Sequence, residues 1–255
     1  MKKLVLYFSS LLVVPALFLG LACGGGGGSS AKITLGDLQG EWTGLTGSDG
    51  ICDMTVDGSG NLTDLSMTQP DSYNFSGSIA QSGESTFVMT LAEAGAPSVF
   101  YTGTFVAGDS EHGFAQIWVS GTGLLGCVLQ KGPASIPLYT EADLLGSWSG
   151  PSCLYSTTTA QWHQANISDM AASYDMTVNI TMTDAMGDTL TGMVMHNPMG
   201  AGNGVYISNV SSVASTSMLA SLMTPDKKGF GVQILSMDSF PPVPEDFQIM
   251  MLMKE

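Results

Sequence analysis

Arginine is missing altogether from these 255 residues, and lysine occurs seven times, twice within the first three positions. Phosphate recognition leans on arginine forks and lysine clusters, so the composition argues against nucleic acid as a partner. Histidine is almost as scarce. His112, His163 and His196 are scattered and show no metal-ligand spacing. Gly146-Ser147-Trp148-Ser149-Gly150 has the outline of a nucleophile elbow, but its centre is Trp rather than Ser and its context is a strand. No carboxylate pair is singled out by spacing, and the chain reads as non-enzymatic. A long apolar period of 3.6 is also lacking, so helix should be scarce.

What is present starts with a leader. Met1-Lys2-Lys3 is positive and Leu4 to Ala22 is almost wholly apolar, as in a secretory signal. The segment ends Leu19-Gly20-Leu21-Ala22-Cys23 and runs into five glycines. This resembles the bacterial lipoprotein signal, in which a Leu/Ala/Gly stretch precedes a Cys that is lipidated and becomes the first residue. It departs from that pattern at Gly20, where Leu is usual. The resemblance implies a signal peptide over 1–22, lipidation at Cys23, a membrane partner through the lipid, and, with Gly24 rather than Asp next, export to the outer membrane. An uncleaved membrane anchor is the alternative. Residues 23–34 then form a lipidated Gly/Ser tether, spanning about 18 Å for a flexible chain of that length. The mature chain would hold five lysines against twenty-two acids, a net charge of −17. Such a surface is soluble and repels anionic headgroups.

Two copies of one phrase organise the remainder. Leu38-Gln39-Gly40-Glu41-Trp42-Thr43-Gly44 opens one half and Leu145-Gly146-Ser147-Trp148-Ser149-Gly150 the other, each after an acidic, Leu-rich approach. The halves also close alike: His112-Gly113-Phe114-Ala115-Gln116-Ile117 is answered by Lys228-Gly229-Phe230-Gly231-Val232-Gln233-Ile234, with one residue inserted. A duplicated domain follows. The first half covers 35–132, a Pro-containing linker 133–139, and the second half 140–255.

Within the halves, Thr, Val, Met and aromatics alternate with polar residues at period two. Examples are Phe87, Met89 and Leu91, or Val99, Tyr101 and Phe105. Turn clusters such as Asp57-Gly58-Ser59-Gly60-Asn61 separate the runs, giving about eight antiparallel strands per half. In the second half Met176, Val178, Ile180 and Met182 are expected on one strand face. Asp53-Met54-Thr55-Val56 recurs as Asp175-Met176-Thr177-Val178, which predicts an insertion over 151–173 holding Cys153, Trp162 and His163.

The Gly-x-Trp near the start of each half is similar to the signature of the lipocalin (calycin) superfamily. There the Trp seals the closed end of an up-and-down barrel, and a basic residue on the last strand packs across it. Lys131 and Lys254 stand in the matching places. The resemblance implies an all-β chain of two tandem antiparallel up-and-down barrels, with barrel-closing pairs Trp42–Lys131 and Trp148–Lys254. Tandem β-sandwiches are the rival architecture. It departs from the family in the short halves and in Lys for Arg. An eight-stranded barrel either packs solid or holds one small ligand. The expected function is therefore a lipoprotein that binds a small apolar molecule, or one with solid barrels and a structural or adhesive surface. No cofactor is expected beyond the lipid.

Closure brings the first and last strands together, so Cys52 and Cys127 are the preferred disulfide in an oxidising compartment, with Cys52–Cys153 as runner-up. Thirteen of the seventeen methionines lie after residue 169. Met193, Met195, His196 and Met199 could select Cu(I), although Met more often fills cores. The Asp57–Asp64 segment has oxygen ligands at alternate positions but lacks EF-hand spacing, and a hairpin turn accounts for it.

Overall fold

The computed structural model describes residues 32–47, 50–68, 72–119, 123–156, 161–196, 203–212, 216–236 and 247–255. Cys23, with the expected signal and most of the tether, lies outside them. A 3₁₀ turn, η1 (Leu35–Leu38), precedes eight strands: β1 (Gly40–Thr46), β2 (Ile51–Val56), β3 (Asn61–Met67), β4 (Tyr73–Gln81), β5 (Thr86–Glu93), β6 (Ala96–Ala107), β7 (His112–Val119) and β8 (Gly123–Lys131). Each pairs antiparallel with the next and β8 returns to β1, closing a barrel with no free edge. Period-two alternation turns Cys52, Met54 and Val56, and likewise Phe87, Met89 and Leu91, into the lumen.

The second half repeats the plan with η2 (Glu141–Leu144), β9 (Gly146–Gly150), β10 (Ser152–Ser156), β11 (Gln161–Gln164), β12 (Ser168–Asp175), β13 (Thr177–Thr183), β14 (Thr189–His196), β15 (Val205–Ser211), β16 (Thr216–Met223), β17 (Gly229–Ser236) and β18 (Phe247–Lys254). β9 and β10 are one long first strand interrupted at Pro151, and both pair with β18. β11 and β12 pair back onto β10 and β9, so they act together as the second strand. Eight strand positions again close a barrel. The architecture is therefore two lipocalin-like barrels in tandem, not sandwiches.

The register corrects two expectations about the second half. Trp42 faces Met54, and Trp148 faces Met170. Asp53-Met54 thus corresponds to Asp169-Met170 rather than to Asp175-Met176. Twenty residues separate Trp148 from Asp169 where ten separate Trp42 from Asp53, so the extra length is ten residues of elongated first hairpin instead of the whole of 151–173. Met176 does not share the inward face of Val178, Ile180 and Met182. Asp175 pairs with Thr177 across it, which forces φ to 65° and leaves its side chain 89% exposed.

The closing motifs also align differently. Leu129 and Leu252 each lie two residues before the terminal lysine, and they face Gly113 and Phe230. Gly113 therefore matches Phe230, Phe114 matches Gly231, and no insertion is needed within the strands. In the first barrel Phe105 fills the space above Gly113, where a Cβ would lie 2.0 Å from its ring. In the second, Phe230 itself fills it, and Ser221 replaces the bulk of Phe105 on the neighbouring strand. Each Phe reaches its own Trp, with ring centroids 5.6 Å apart in both barrels.

The barrels dock through outward faces of β6, β7 and β8 against β16, β17 and β18. Val106, Phe114 and Val128 belong to the same apolar cluster as the second barrel's interior. The contacts are nearly reciprocal. Phe114 rests on its own equivalent, Gly231, where an added Cβ would meet the ring at 2.7 Å. The β6–β7 turn reaches Met253 of β18, and the β16–β17 turn reaches Gln130, the equivalent of Met253, through an Asp226 N–H bond of 2.7 Å. This is the pattern of an isologous dimer with both partners on one chain. Gly231→Val should destabilise the protein by about 1–3 kcal/mol through overpacking, and adding Phe114→Ala should recover part of the loss. Urea unfolding of the two single variants and the double variant measures the coupling; strictly additive effects would refute the contact.

Candidate functional site

Each barrel is sealed at one end by its 3₁₀ turn. Thr34 N–H donates to Asp37 Oδ2 at 2.8 Å, and Thr140 N–H donates to Asp143 Oδ2 at 2.7 Å. These bonds fix a turn whose Leu38 or Leu144 is fully buried. A short helix leaves carbonyls unpaired at its C-terminal end. Trp42 Nε1 donates to Leu38 O and Trp148 Nε1 to Leu144 O, both at 2.8 Å. Lys131 Nζ donates to Asp37 O at 2.6 Å and Lys254 Nζ to Asp143 O at 2.9 Å. The ammonium groups lie 5.6 and 5.2 Å from the Trp42 and Trp148 ring centroids. The structure thus brings both Trp–Lys pairs together. Their chief task is to satisfy the cap's carbonyls, with the cation–π contact added to it.

The two glycines of Gly-x-Trp-x-Gly have separate causes. Gly40 and Gly146 hold φ of 126° and 121°, which side chains rarely tolerate. Gly44 and Gly150 let the last strand approach: a Cβ there would fall 1.7 Å from Val128 O and 2.0 Å from Met251 O. Cys52 and Cys127 are joined across β1. Closing a loop of 75 residues restricts the unfolded chain by about 4 kcal/mol in the chain-entropy description. Cys153 is free and fully buried, so the alternative Cys52–Cys153 bridge does not form, and burial pushes its thiol well above the usual range.

Among the described residues, large inward side chains pack both lumens. Met54, Leu65, Phe75, Phe87, Met89 and Phe105 in the first barrel have no accessible surface, and neither do Met182, Tyr206, Phe230, Val232, Met250 and Leu252 in the second. A side chain lining a water-sized void would show accessible surface. A depression of about 350 Å³ lies instead outside the second barrel, beside η2, lined by Thr140, Glu141, Ala142, Leu145 and Tyr174.

Met193 and Met195 sit two residues apart on the outer wall of β14, 55% and 62% exposed, with Ile207 opposite Met195. His196 ends β14 opposite Tyr206, and Met199 lies outside the described residues. The structure therefore places two of the four candidate Cu(I) ligands on one face of β14, and the His196 side chain lies, like Met199, outside the described residues. Asp57 is occupied as a turn residue, accepting from Ser59 N, Asn61 N and Asn61 Nδ2 at 2.7–2.9 Å.

One cluster escaped the sequence reading. His112, 3% exposed, lies between two carboxylates: Nδ1 is 2.9 Å from Asp109 Oδ1 and Nε2 is 2.8 Å from Asp226 Oδ2. Asp109 and Asp226 each stand three residues before the first residue of β7 or β17, so the imidazole joins equivalent turns of the two barrels. Burial opposes its charging, but the bonds from both aspartates outweigh burial and hold its pKa above the ordinary value. Burial likewise works to raise both carboxyls, and hydrogen bonds from His112 and the turn backbones hold them below the usual range. Lys228 Nζ adds a positive charge 3.7 Å from Asp226.

Two outcomes follow from these contacts. Lys131→Met should cost about 1–2 kcal/mol in urea unfolding because its bond is partly buried, whereas Lys254→Met, whose bond is exposed, should cost less. Equal costs would refute that ordering. For His112 the folded pKa is raised. Its contribution is therefore complete below the unfolded value near 6.5 and is lost as pH rises through the folded value. The aspartates, lowered on folding, contribute above their unfolded values and lose that contribution as pH falls through their folded ones. Thermal melting of wild type should therefore decline from pH 5.5 to pH 8.5 more than that of His112→Gln. Parallel declines would show that the imidazole is not charged in the fold.

No protein-family model and no curated protein matches the chain. Among solved structures it is similar to a protein of unknown function from the DUF3598 family of Nostoc punctiforme PCC 73102. The identity is 11%, over 89% of this chain and 100% of that one, with a TM-score of 0.40. It is also similar to intact Ap-TbpB, comprising N and C lobes, at 9% identity and a TM-score of 0.23. That match covers 80% of this chain and 38% of the other.

Proposed function

We propose that this protein is a non-enzymatic lipoprotein of the bacterial outer membrane, whose two solid barrels form a rigid scaffold and whose outer walls carry the function. The tandem fold is also compatible with a lipocalin-like binder of small molecules. The observation that favours the scaffold is the filled lumen, where the large inward side chains of both barrels are sealed from water. The anchor rests on Leu19-Gly20-Leu21-Ala22-Cys23 followed by glycine. A net charge of −17 suits a body held near a bilayer without adsorbing to anionic lipid.

A second reading, binding of a small apolar molecule, is favoured by the depression beside η2, where Ala142, Leu145 and Tyr174 offer apolar walls. Its volume is at the small end for ligand sites. On this reading the ligand sits on the barrel's closed end and not in its lumen.

Intact mass spectrometry of the protein purified from a bacterial envelope tests both statements. A chain starting at Cys23 and heavier by a diacylglyceryl group is expected, and Cys23→Ala should abolish the added mass. Native spectra should show the scaffold without a non-covalent ligand; a stoichiometric co-purified molecule lost on Leu145→Asp would favour the second reading.

A further inference from the structure

Two barrels built on one plan use methionine differently. In the first, Met54, Met67 and Met89 are all buried in the core. In the second, Met170, Met182 and Met250 do the same, but Met176, Met186, Met193 and Met195 are 89%, 60%, 55% and 62% exposed. The duplication supplies an internal comparison. A Cβ on Gly77 of β4 would fall 1.9 Å from Thr90 O, and one on Gly192 of β14 would fall 2.3 Å from Asn209 O. Ser78 faces Thr90 and Met193 faces Asn209, so the two glycines hold one place in the plan. Met193 therefore stands where the first barrel has Ser78, and Met195 where it has Ala80, and all four are exposed. The first barrel turns from β2 to β3 through Asp57-Gly58-Ser59-Gly60. The second turns from β12 to β13 through Met176, at a positive φ of 65° that residues other than glycine seldom adopt. Such a barrel closes without thioethers at these places. Around them the surface is polar and uncharged: the Thr177 hydroxyl donates to Met193 Sδ at 3.7 Å, with Asn179 and Asn209 opposite Met193 on either side.

We propose that Met176, Met186, Met193 and Met195 are a modification site, a set of thioethers that peroxide oxidises to sulfoxides while the barrel stays folded. This goes beyond the scaffold reading by giving the outer wall a chemistry of its own. In the step itself a sulfur lone pair attacks one oxygen of hydrogen peroxide and the O–O bond breaks. The departing hydroxide takes the proton from the sulfur-bound hydroxyl, leaving a sulfoxide and one water. Sulfur loses two electrons and the peroxide gains them. A thiol-dependent reductase reverses the change, with a disulfide and water as products. Oxidation makes a flexible apolar side chain polar, which breaks packing when it happens in a core. On this wall the new oxygen meets solvent and the neighbouring hydroxyl and amides instead. Among the described residues cysteine does not compete, because Cys153 is buried and Cys52 and Cys127 are bonded to each other.

The test incubates the purified full chain with hydrogen peroxide and locates the added oxygen by peptide mass spectrometry. Each of the four should gain one oxygen at least about tenfold faster than Met54, Met89, Met182 and Met250. The urea midpoint should be the same before and after the four have reacted. Treatment with the two methionine sulfoxide reductases, one for each epimer, and a thiol should then remove the oxygens. Buried methionines that react as fast as these four, or a midpoint that falls as the four react, would overturn the proposal. A variant carrying Met193→Ser and Met195→Ala, the residues of the first barrel, separates this chemistry from packing. It should unfold at the wild-type midpoint and lack the two oxygens. A lower midpoint would return these side chains to a packing role and overturn the proposal. None of these measurements depends on acylation or on the contents of the lumens, so their failure is distinct from failure of the scaffold reading.

Discussion

A barrel that closes on itself has no edges but two ends, and a packed lumen must be sealed at one of them. Here the seal is a single 3₁₀ turn, and a turn that short leaves carbonyls pointing into the space it covers. Trp42 and Trp148 donate to one such carbonyl in each barrel, and Lys131 and Lys254 donate to another. Much else follows from that arrangement. The Trp needs a glycine at positive φ before it to enter from the turn, and a glycine after it so that the last strand can cross closely enough to deliver the lysine. First and last strands are thereby fixed side by side, which is also the condition for joining Cys52 to Cys127. In the second barrel the position of Cys52 is held by Ser168 and that of Cys127 by Met250. Closure there relies on packing and on the elongated first hairpin.

The duplicate barrels share a plan and not a packing solution. Below each Trp the lumen needs one large ring, and the first barrel takes it from β6 as Phe105 while the second takes it from β17 as Phe230. The exchange is compensated by Gly113 in one and Ser221 in the other, so the volume stays filled. The same exchange leaves Phe114 outward on β7 and Gly231 outward on β17. One barrel thus gains a knob and the other a hole at equivalent positions of a pseudo-twofold interface. An identical pair would have placed two phenylalanines or two glycines face to face at the axis, so asymmetry at this one site allows the two outer walls to meet.

The strand count, the Trp–Lys pairs and the disulfide were legible because each has a local signature: a phrase repeated in order, a period of two, a cysteine near each end of a closing sheet. The register of the second half was not. Asp175-Met176 copies Asp53-Met54 by eye more fully than Asp169-Met170 does, and only pairing with Trp148 shows which one occupies the equivalent place. The inter-barrel face was missed although a signal existed. His112–Val119 and Phe247–Lys254 are apolar on both faces, which marks strands buried on both sides rather than alternating toward solvent. The Thr-x-x-Asp of Thr34–Asp37 and Thr140–Asp143 would likewise have announced the two caps. His112 gave no sign at all. Its partners are 3 and 114 residues away, and a lone histidine at the start of a strand has no pattern to betray it.

Where the halves differ tells more than where they agree. Residues that close the barrels are held in common, so they explain how the chain folds without distinguishing one barrel's task from the other's. The second barrel alone lengthens its first hairpin, exposes methionines on β14, and contributes a carboxylate that grips a histidine of the first. Two of these features join the barrels: the hairpin meets Glu84 of the first barrel through Gln164, and Asp226 fastens the barrels through His112. The β14 wall is different in kind. Val194 is buried on the inward face while Met193 and Met195 point outward, so these thioethers add nothing to the barrel's core. They cover a wall of adaptable, uncharged surface from which the scaffold's own stability asks nothing.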